Sequence, residues 1–178
     1  MFSIILATLD SERALVPTLA ALVPGATAGI VREVIIADGG SRDGTQQVAD
    51  IAGCEFVVSA EAPGARLAAA AGAARGEWLM FLQPGAVPAP TWIDETIAFV
   101  DRVGIAPRAA VFAGDPGVLS ALRGLLLPAP RQGLIIRKAI YRELGGHRAD
   151  ADAERALLRR IGRRRLARLR TGVSFPDI

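Results

Sequence analysis

The stretch Val31 to Thr45, VREVIIADGGSRDGT, decides the fold. Its apolar run Val34-Ile35-Ile36 leads into Asp38-Gly39-Gly40, the pattern of a buried strand that breaks off into a tight turn. Asp38 therefore stands at the carboxyl end of a strand, and in an open α/β sheet ligands bind in the crevice outside such ends. Gly39 and Gly40 leave bare backbone beside it, against which a ligand can lie. Asp43 follows as the expected N-cap of a helix beginning at Gly44, with Gln46 as the reciprocal partner of a capping box. An alternative reading gives Asp38 only the closing of the turn and Asp43 only the cap.

Working outward, the same strand-then-turn pattern recurs. Phe2 to Thr8 reads as a first strand leaving at Thr8-Leu9-Asp10-Ser11-Glu12, where Asp10 or Ser11 caps a helix over residues 14–22 that tolerates Pro17 near its first turn. Residues 55–58 form a short third strand. An alanine-rich helix then starts after Ala62-Pro63-Gly64, its small side chains allowing close approach to a sheet, and stops at Arg75-Gly76. Residues 78–82 form a fourth strand that exits at Gln83-Pro84-Gly85-Ala86. Thr91 caps a helix with Trp92, Ile93, Ile97 and Val100 on one face. Strand and helix alternate throughout, which predicts a mostly parallel, doubly wound sheet.

The second half is less regular. It reads as a strand over 109–113, a helix over 118–127 stopped by Pro128 and Pro130, a strand over 132–137, and a short helix to Leu144 ended by Gly145-Gly146. An amphipathic helix over 150–161 and an edge strand over 166–173 complete the chain. With 178 residues and 51% hydrophobic residues, the sequence is sized for a single domain, 1–178, with its own core. It has no apolar run long enough for a membrane span, no leader-like start, and one cysteine, Cys54, which excludes an internal disulfide. A cytoplasmic setting is the resulting expectation. The net charge is only +3. Arginines nevertheless crowd the C-terminal part: Arg159, Arg160, Arg163, Arg164, Arg165, Arg168 and Arg170 offer peripheral contact with an anionic lipid surface, or simply solvate one face. No aromatic residues interleave with them, which argues against nucleic acid as a partner.

Taken together, SIILATLDSERAL, VIIADGGSRDGT, PGARLAAAAGAARGEWLMFL and QGLIIRKAIYRELGGHR resemble the family 2 glycosyltransferases with the GT-A fold. The resemblance implies transfer of a sugar from a nucleotide-diphosphate donor to a hydroxyl acceptor, either a small molecule or a lipid-linked one. It places Thr8, Asp10, Asp38, Gly39 and Gly40 around the nucleotide, Arg66 beside the diphosphate, and Gln132 and His147 on the acceptor side, with a structural or exposed role the alternative for His147, the lone histidine.

The departures from the family pattern bear on the chemistry. Where the fourth strand should run into spaced, metal-binding aspartates, the chain has Gln83-Pro84-Gly85-Ala86. Mg²⁺ or Mn²⁺ favours hard oxygen ligands, carboxylates above all, so a divalent cofactor is not expected there and Arg66 with Arg131 would meet the diphosphate charge. Asp94 and Glu95, on the following helix, read as solvated. Aligning the last helix puts Asp150 and Ala151 at the family's acidic pair with Asp152 just beyond, so Asp150 or Asp152 is the candidate base and helix capping the equal alternative. The alternative function is a non-catalytic nucleotide-binding or scaffold relative that has lost the metal-binding acids.

Overall fold

The computed structural model describes residues 1–102, 108–113, 133–149 and 152–176. In chain order these form β1 (Phe2–Thr8), α1 (Glu12–Thr27), β2 (Val31–Asp38), α2 (Thr45–Ile51), β3 (Glu55–Val58), α3 (Pro63–Ala73), β4 (Trp78–Leu82), β5 (Val87–Pro88), α4 (Trp92–Arg102), β6 (Ala109–Ala113), β7 (Leu134–Arg137), α5 (Lys138–Glu143), α6 (Ala153–Ile161), a 3-10 turn (Arg163–Arg165) and β8 (Leu166–Ser174). The helix expected over 118–127, together with Arg131, Gln132, Asp150 and Ala151, lies outside the described residues.

The strands make one sheet in the order β3-β2-β1-β4-β7-β6-β8-β5. The run β3-β2-β1-β4 is parallel, β7 runs antiparallel to both β4 and β6, and β8 is parallel to β6. From β1 the chain winds one way through β2 and β3 and the other way to β4. That reversal leaves a crevice at the carboxyl ends of β1, β2 and β4, the usual ligand position in such sheets.

Every residue of β4 is buried, because helices cover both faces of the sheet. On one face Ile4, Leu6, Ile36 and Met80 pack against Leu15, Leu19 and Leu22 of α1 and Trp92 and Phe99 of α4. On the other, Ile5, Ile35, Leu79 and Phe81 meet Leu67, Ala70 and Ala71 of α3, Tyr141 of α5, and Leu157, Leu158 and Ile161 of α6. Each fully buried Leu, Ile or Phe contributes about 1.5–3 kcal/mol, which favours interior positions for the apolar strands β1, β4 and β7.

Four local expectations need correction. Helix α1 continues past Leu22 to Thr27 and contains both Pro17 and Pro24. Burial of Leu15, Leu19, Leu22 and Gly25 along its inner face outweighs the two missing backbone donors. The N-cap of α2 is Gly44 rather than Asp43. On α4 the inner face is Trp92, Thr96 and Phe99, leaving Ile97 39% exposed, and the Thr91 hydroxyl donates to Thr171 on β8 instead of capping the helix. Finally, β8 is not an edge: it lies between β6 and the two-residue β5, which no sequence pattern announced.

Candidate functional site

The turn after β2 is built around the Asp38 carboxylate, which is buried with only 1% of the residue exposed. Oδ1 accepts from the hydroxyls of Thr8 (2.7 Å) and Ser41 (2.5 Å), and Oδ2 accepts from the backbone N–H groups of Gly40 and Ser41, both at 2.7 Å. A carboxylate has about four acceptor sites, and these four bonds fill them. Burial opposes its ionisation, but the bonds from Ser41, Thr8 and Gly40 prevail and hold its pKa below the ordinary value. Asp38 thus shapes the rim without presenting a free oxygen to it. Thr8, expected beside the nucleotide, is likewise turned inward to Asp38.

Ser41, which sequence reading passed over, ties this turn to the exit of β1. Its hydroxyl accepts from Asp10 N (2.8 Å) while Asp10 Oδ1 accepts from Arg42 N (2.7 Å). Asp10 adopts φ +46°, a left-handed conformation tolerated by Asp when its side chain bonds locally. Helices α1 and α2 interlock in the same way: Asp43 Oδ2 accepts from Glu12 N, and Glu12 Oε2 accepts from Gly44 N, each at 3.0 Å. Asp43 Oδ1 also accepts from Thr45 N. The capping box forms between two helices rather than within one, with Glu12 in the place expected for Gln46. The Asp10 and Asp38 turns are therefore joined into one hydrogen-bonded unit.

Arg66, on α3, is 6% exposed and lies beneath this unit. Its Nη1 donates to the carbonyls of Thr8 (2.7 Å) and Ala37 (3.0 Å), while its buried Nε has no partner among the described residues. Nη1 is thereby committed to the strand ends. It also explains Gly39: a Cβ there would stand 2.5 Å from Arg66 Nη1, so the space expected for a ligand is occupied by arginine. Gly40 differs, since its φ of +92° requires glycine and a Cβ there would meet nothing within 4 Å. Of the two glycines, Gly40 is the one that faces open space.

Across the switch point, Gln83 follows β4, and its Nε2 donates to Oε2 of Glu154 at 3.2 Å. Burial pushes the Glu154 carboxyl up to about 7, partly offset by the Gln83 bond. Asp152, the described candidate base, is exposed at the N-cap of α6 and makes no capping bond. Glu154, two residues further on in the first turn of α6, was not anticipated from the sequence. Its signal was only the helical spacing that places it between the buried Ala153 and Leu157.

His147, expected on the acceptor side, is 4% exposed and packs edge-on to Phe81 with ring centroids 4.6 Å apart. Its Nδ1 bonds with the Tyr141 hydroxyl, which also accepts from His147 N, each at 2.9 Å. Burial first, and the Arg160 charge second, lower its pKa to about 4, so the ring is neutral near pH 7. Arg160, grouped by sequence with the surface arginines, instead turns inward and donates to the carbonyls of Leu144 and Gly146.

The family resemblance implies a divalent cation at the exit of β4. There the Gln83 amide donates to Glu154, and among the described residues no three His, Cys, Asp or Glu side chains gather closely enough to hold a metal ion. These residues do not fit the cation. A cavity of about 210 Å³, lined by Phe2, Ile30, Trp78, Ile97 and Val100 among others, opens at the opposite, amino-terminal edge of the sheet. Among the described residues, no helix is long and apolar enough to cross a membrane.

In fold, the chain is similar to glucosyl-3-phosphoglycerate synthase from Mycobacterium tuberculosis. In the complex with Mn²⁺, UDP and glucosyl-3-phosphoglycerate the TM-score is 0.78 at 19% identity, covering 100% of this chain and 72% of that one. In the complex with Mg²⁺ and UDP it is 0.76 at 19% identity, covering 100% and 72%. A structure described as a mycobacterial protein gives 0.77 at 21% identity, covering 100% and 68%. No curated protein matches the chain in sequence. The model of the family described as "Glycosyl transferase family 2" matches residues 3–161, nearly the whole of the parallel sheet and the helices around it. The GT-A fold anticipated from the sequence is the fold observed, and the chain belongs to glycosyl transferase family 2.

Proposed function

We propose that this glycosyltransferase moves a sugar from a nucleotide-diphosphate donor to a hydroxyl acceptor, with the nucleotide seated on the rim formed by Asp10, Gly40 and Ser41. The observation that carries this reading is the interlocked pair of turns after β1 and β2, which holds an open glycine at the switch point of the sheet. In this role Asp38 and Thr8 act by rigidity, fixing the backbone that the nucleotide meets. Arg66 supports the turn from beneath and contributes its charge through it. With no fitting cation, the leaving diphosphate is met by the exposed guanidinium groups of Arg42 in the turn and Arg148 in the loop before α6. UDP-sugars are the first donors to test, since the fold neighbours bind UDP and UDP-glucose.

The rival reading, a nucleotide-binding relative without turnover, draws on the missing carboxylates at the exit of β4. Calorimetric titration of UDP, GDP and ADP and their sugars tests the first claim. One diphosphate is expected to bind, with its monophosphate weaker by roughly tenfold or more for want of charged phosphate contacts. Failure of every nucleotide to bind overturns the donor site.

A further inference from the structure

One end of the sheet is β3, whose only strand partner is β2. Successive backbone groups along a strand point in opposite directions, and Ser59 N donates inward to the Asp38 carbonyl at 2.9 Å. The backbone groups of Glu55 and Val57 therefore face β2 as well, while those of Phe56 and Val58 face outward. Their N–H and C=O groups have no strand beside them among the described residues. Open edges are commonly guarded by a mid-strand charge, a proline or a bulge, but the single charge of Glu-Phe-Val-Val stands at its first residue and the pairing with β2 is regular. The edge is also apolar: Val57 is 45% exposed, Val58 59%, and Ile51, at the end of α2, 80%. The other end of the sheet is guarded. There β5 is two residues long and includes Pro88, which has no N–H to give. On β8 beside it, Arg170 N donates to Glu95 Oε2 and the Gly172 carbonyl accepts from Ala89 N. Among the described residues, β3 is thus the open edge that one copy of the chain presents to another, and a contact between identical edges closes on a two-fold axis instead of growing into a filament.

We infer that the chain associates with a second copy of itself through antiparallel pairing of β3 with β3, which joins the two sheets into one. The available backbone groups select the register. Phe56 exchanges N–H···O=C bonds with the partner's Val58, and Val58 with the partner's Phe56, so every outward group of the strand is satisfied and Val57 faces the partner's Val57 across the axis. A register centred on Val58 would need Ala60, beyond the end of the strand. One centred on Phe56 would need Cys54 N, which already donates to the Ala49 carbonyl at 2.9 Å. In the selected register Glu55 lies opposite the partner's Ser59, so no like charges meet. Phe56 joins the apolar cluster of Ile36, Val48 and Ala49, which sets Phe56 and Val58 on the α2 face and Val57 on the opposite one. Pairing therefore covers apolar side chains on both faces of the joint sheet. A contact of one short strand falls at the small end of specific interfaces, so the dimer forms and dissociates with concentration. Each copy keeps its own Asp38 turn, and antiparallel pairing makes the two turns open at opposite ends of the joint sheet.

Sedimentation velocity of the full chain over roughly 10 µM to 1 mM should show a monomer–dimer equilibrium. Val57→Lys, which sets two like charges on the axis, should raise the midpoint of that equilibrium by roughly fivefold or more, with the far-UV circular dichroism unchanged. Cross-linking reads the register. In a Cys54→Ser background, Val57→Cys should form an intermolecular disulfide on mild oxidation, because directly opposed residues of a non-hydrogen-bonded pair stand about 4.5 Å apart at Cα, within disulfide reach. Val58→Cys in the same background should not, since the two copies of that position are diagonal neighbours about 7–8 Å apart. A chain that stays monomeric at the highest concentration overturns the inference, as does one that stays monomeric and takes an extended valine-rich peptide at this edge. A dimer that Val57→Lys leaves intact, or that cross-links through Val58→Cys and not through Val57→Cys, overturns it too by placing the contact on another surface or register.

Discussion

Gln83 Nε2 and Glu154 Oε2, 3.2 Å apart, join the exit of β4 to the first turn of α6. A single acid from a neighbouring helix therefore stands where the resemblance calls for a run of aspartates. Direct displacement of the diphosphate by the acceptor hydroxyl would invert the anomeric configuration. Proton NMR of the first product formed from UDP-α-glucose should show the β anomer, and an α product would contradict direct displacement.

Stability and pH provide a second test, because two buried groups act in opposite directions. Glu154 keeps its proton to about pH 7 in the folded chain, against an ordinary 4.5, so its effect is to lower stability as pH rises through that window. His147 refuses a proton until about pH 4, against an ordinary 6.5, so its effect is to lower stability as pH falls through that one. The two largely cancel in the wild type. Urea titrations of Glu154→Gln should expose the His147 contribution, on the order of 3 kcal/mol between pH 6.5 and 4. His147→Phe should expose the opposite slope. The same Glu154→Gln variant should be more stable than wild type above neutral pH.

Arg66 and Gly39 form a testable pair. Gly39→Ala drives a methyl group into the guanidinium, a contact of 2.5 Å, and overpacking of this kind costs about 1–3 kcal/mol. In an Arg66→Ala background that clash is absent, so the cost of Gly39→Ala should shrink, giving a coupling of about 1 kcal/mol or more in a double-mutant cycle. Additive effects would show that the glycine is required for another reason.

Asp38→Ala leaves two backbone N–H groups and two hydroxyls without their acceptor. Loss of about 2–4 kcal/mol in chemical denaturation is expected, with weaker nucleotide binding as the rim loosens. Nucleotide affinity that falls while stability stays unchanged would point to direct contact with the ligand instead.

Peripheral contact with anionic lipid, an expectation from the sequence, would fall to the exposed arginines Arg159, Arg163, Arg164, Arg165 and Arg170. Sedimentation with phosphatidylglycerol vesicles should exceed that with phosphatidylcholine at low salt and fade once screening shortens to about 8 Å near physiological ionic strength. Equal sedimentation with both lipids would remove this contact.

The parallel sheet was legible because β1, β2 and β4 each present an unbroken apolar run ending in turn residues, a local signal. Which turn residues keep polar groups or space free was not legible. Asp38, Thr8 and Gly39 have the right chemistry in the right place, yet their polar groups and space are consumed by one another and by Arg66, through contacts between residues about 30 to 60 positions apart. Glu154 escaped notice for the complementary reason. A glutamate on an amphipathic arginine-rich helix reads as a solvated face until tertiary packing brings it to Gln83.

The central claim, a nucleotide-sugar site that works without the family's cation, is tested most directly by titrating UDP into the wild-type chain with chelator and again with Mn²⁺. The account predicts affinities within about twofold of one another, since guanidinium groups rather than a metal meet the diphosphate. Binding that appears only with Mn²⁺, tighter by roughly tenfold or more, would contradict it.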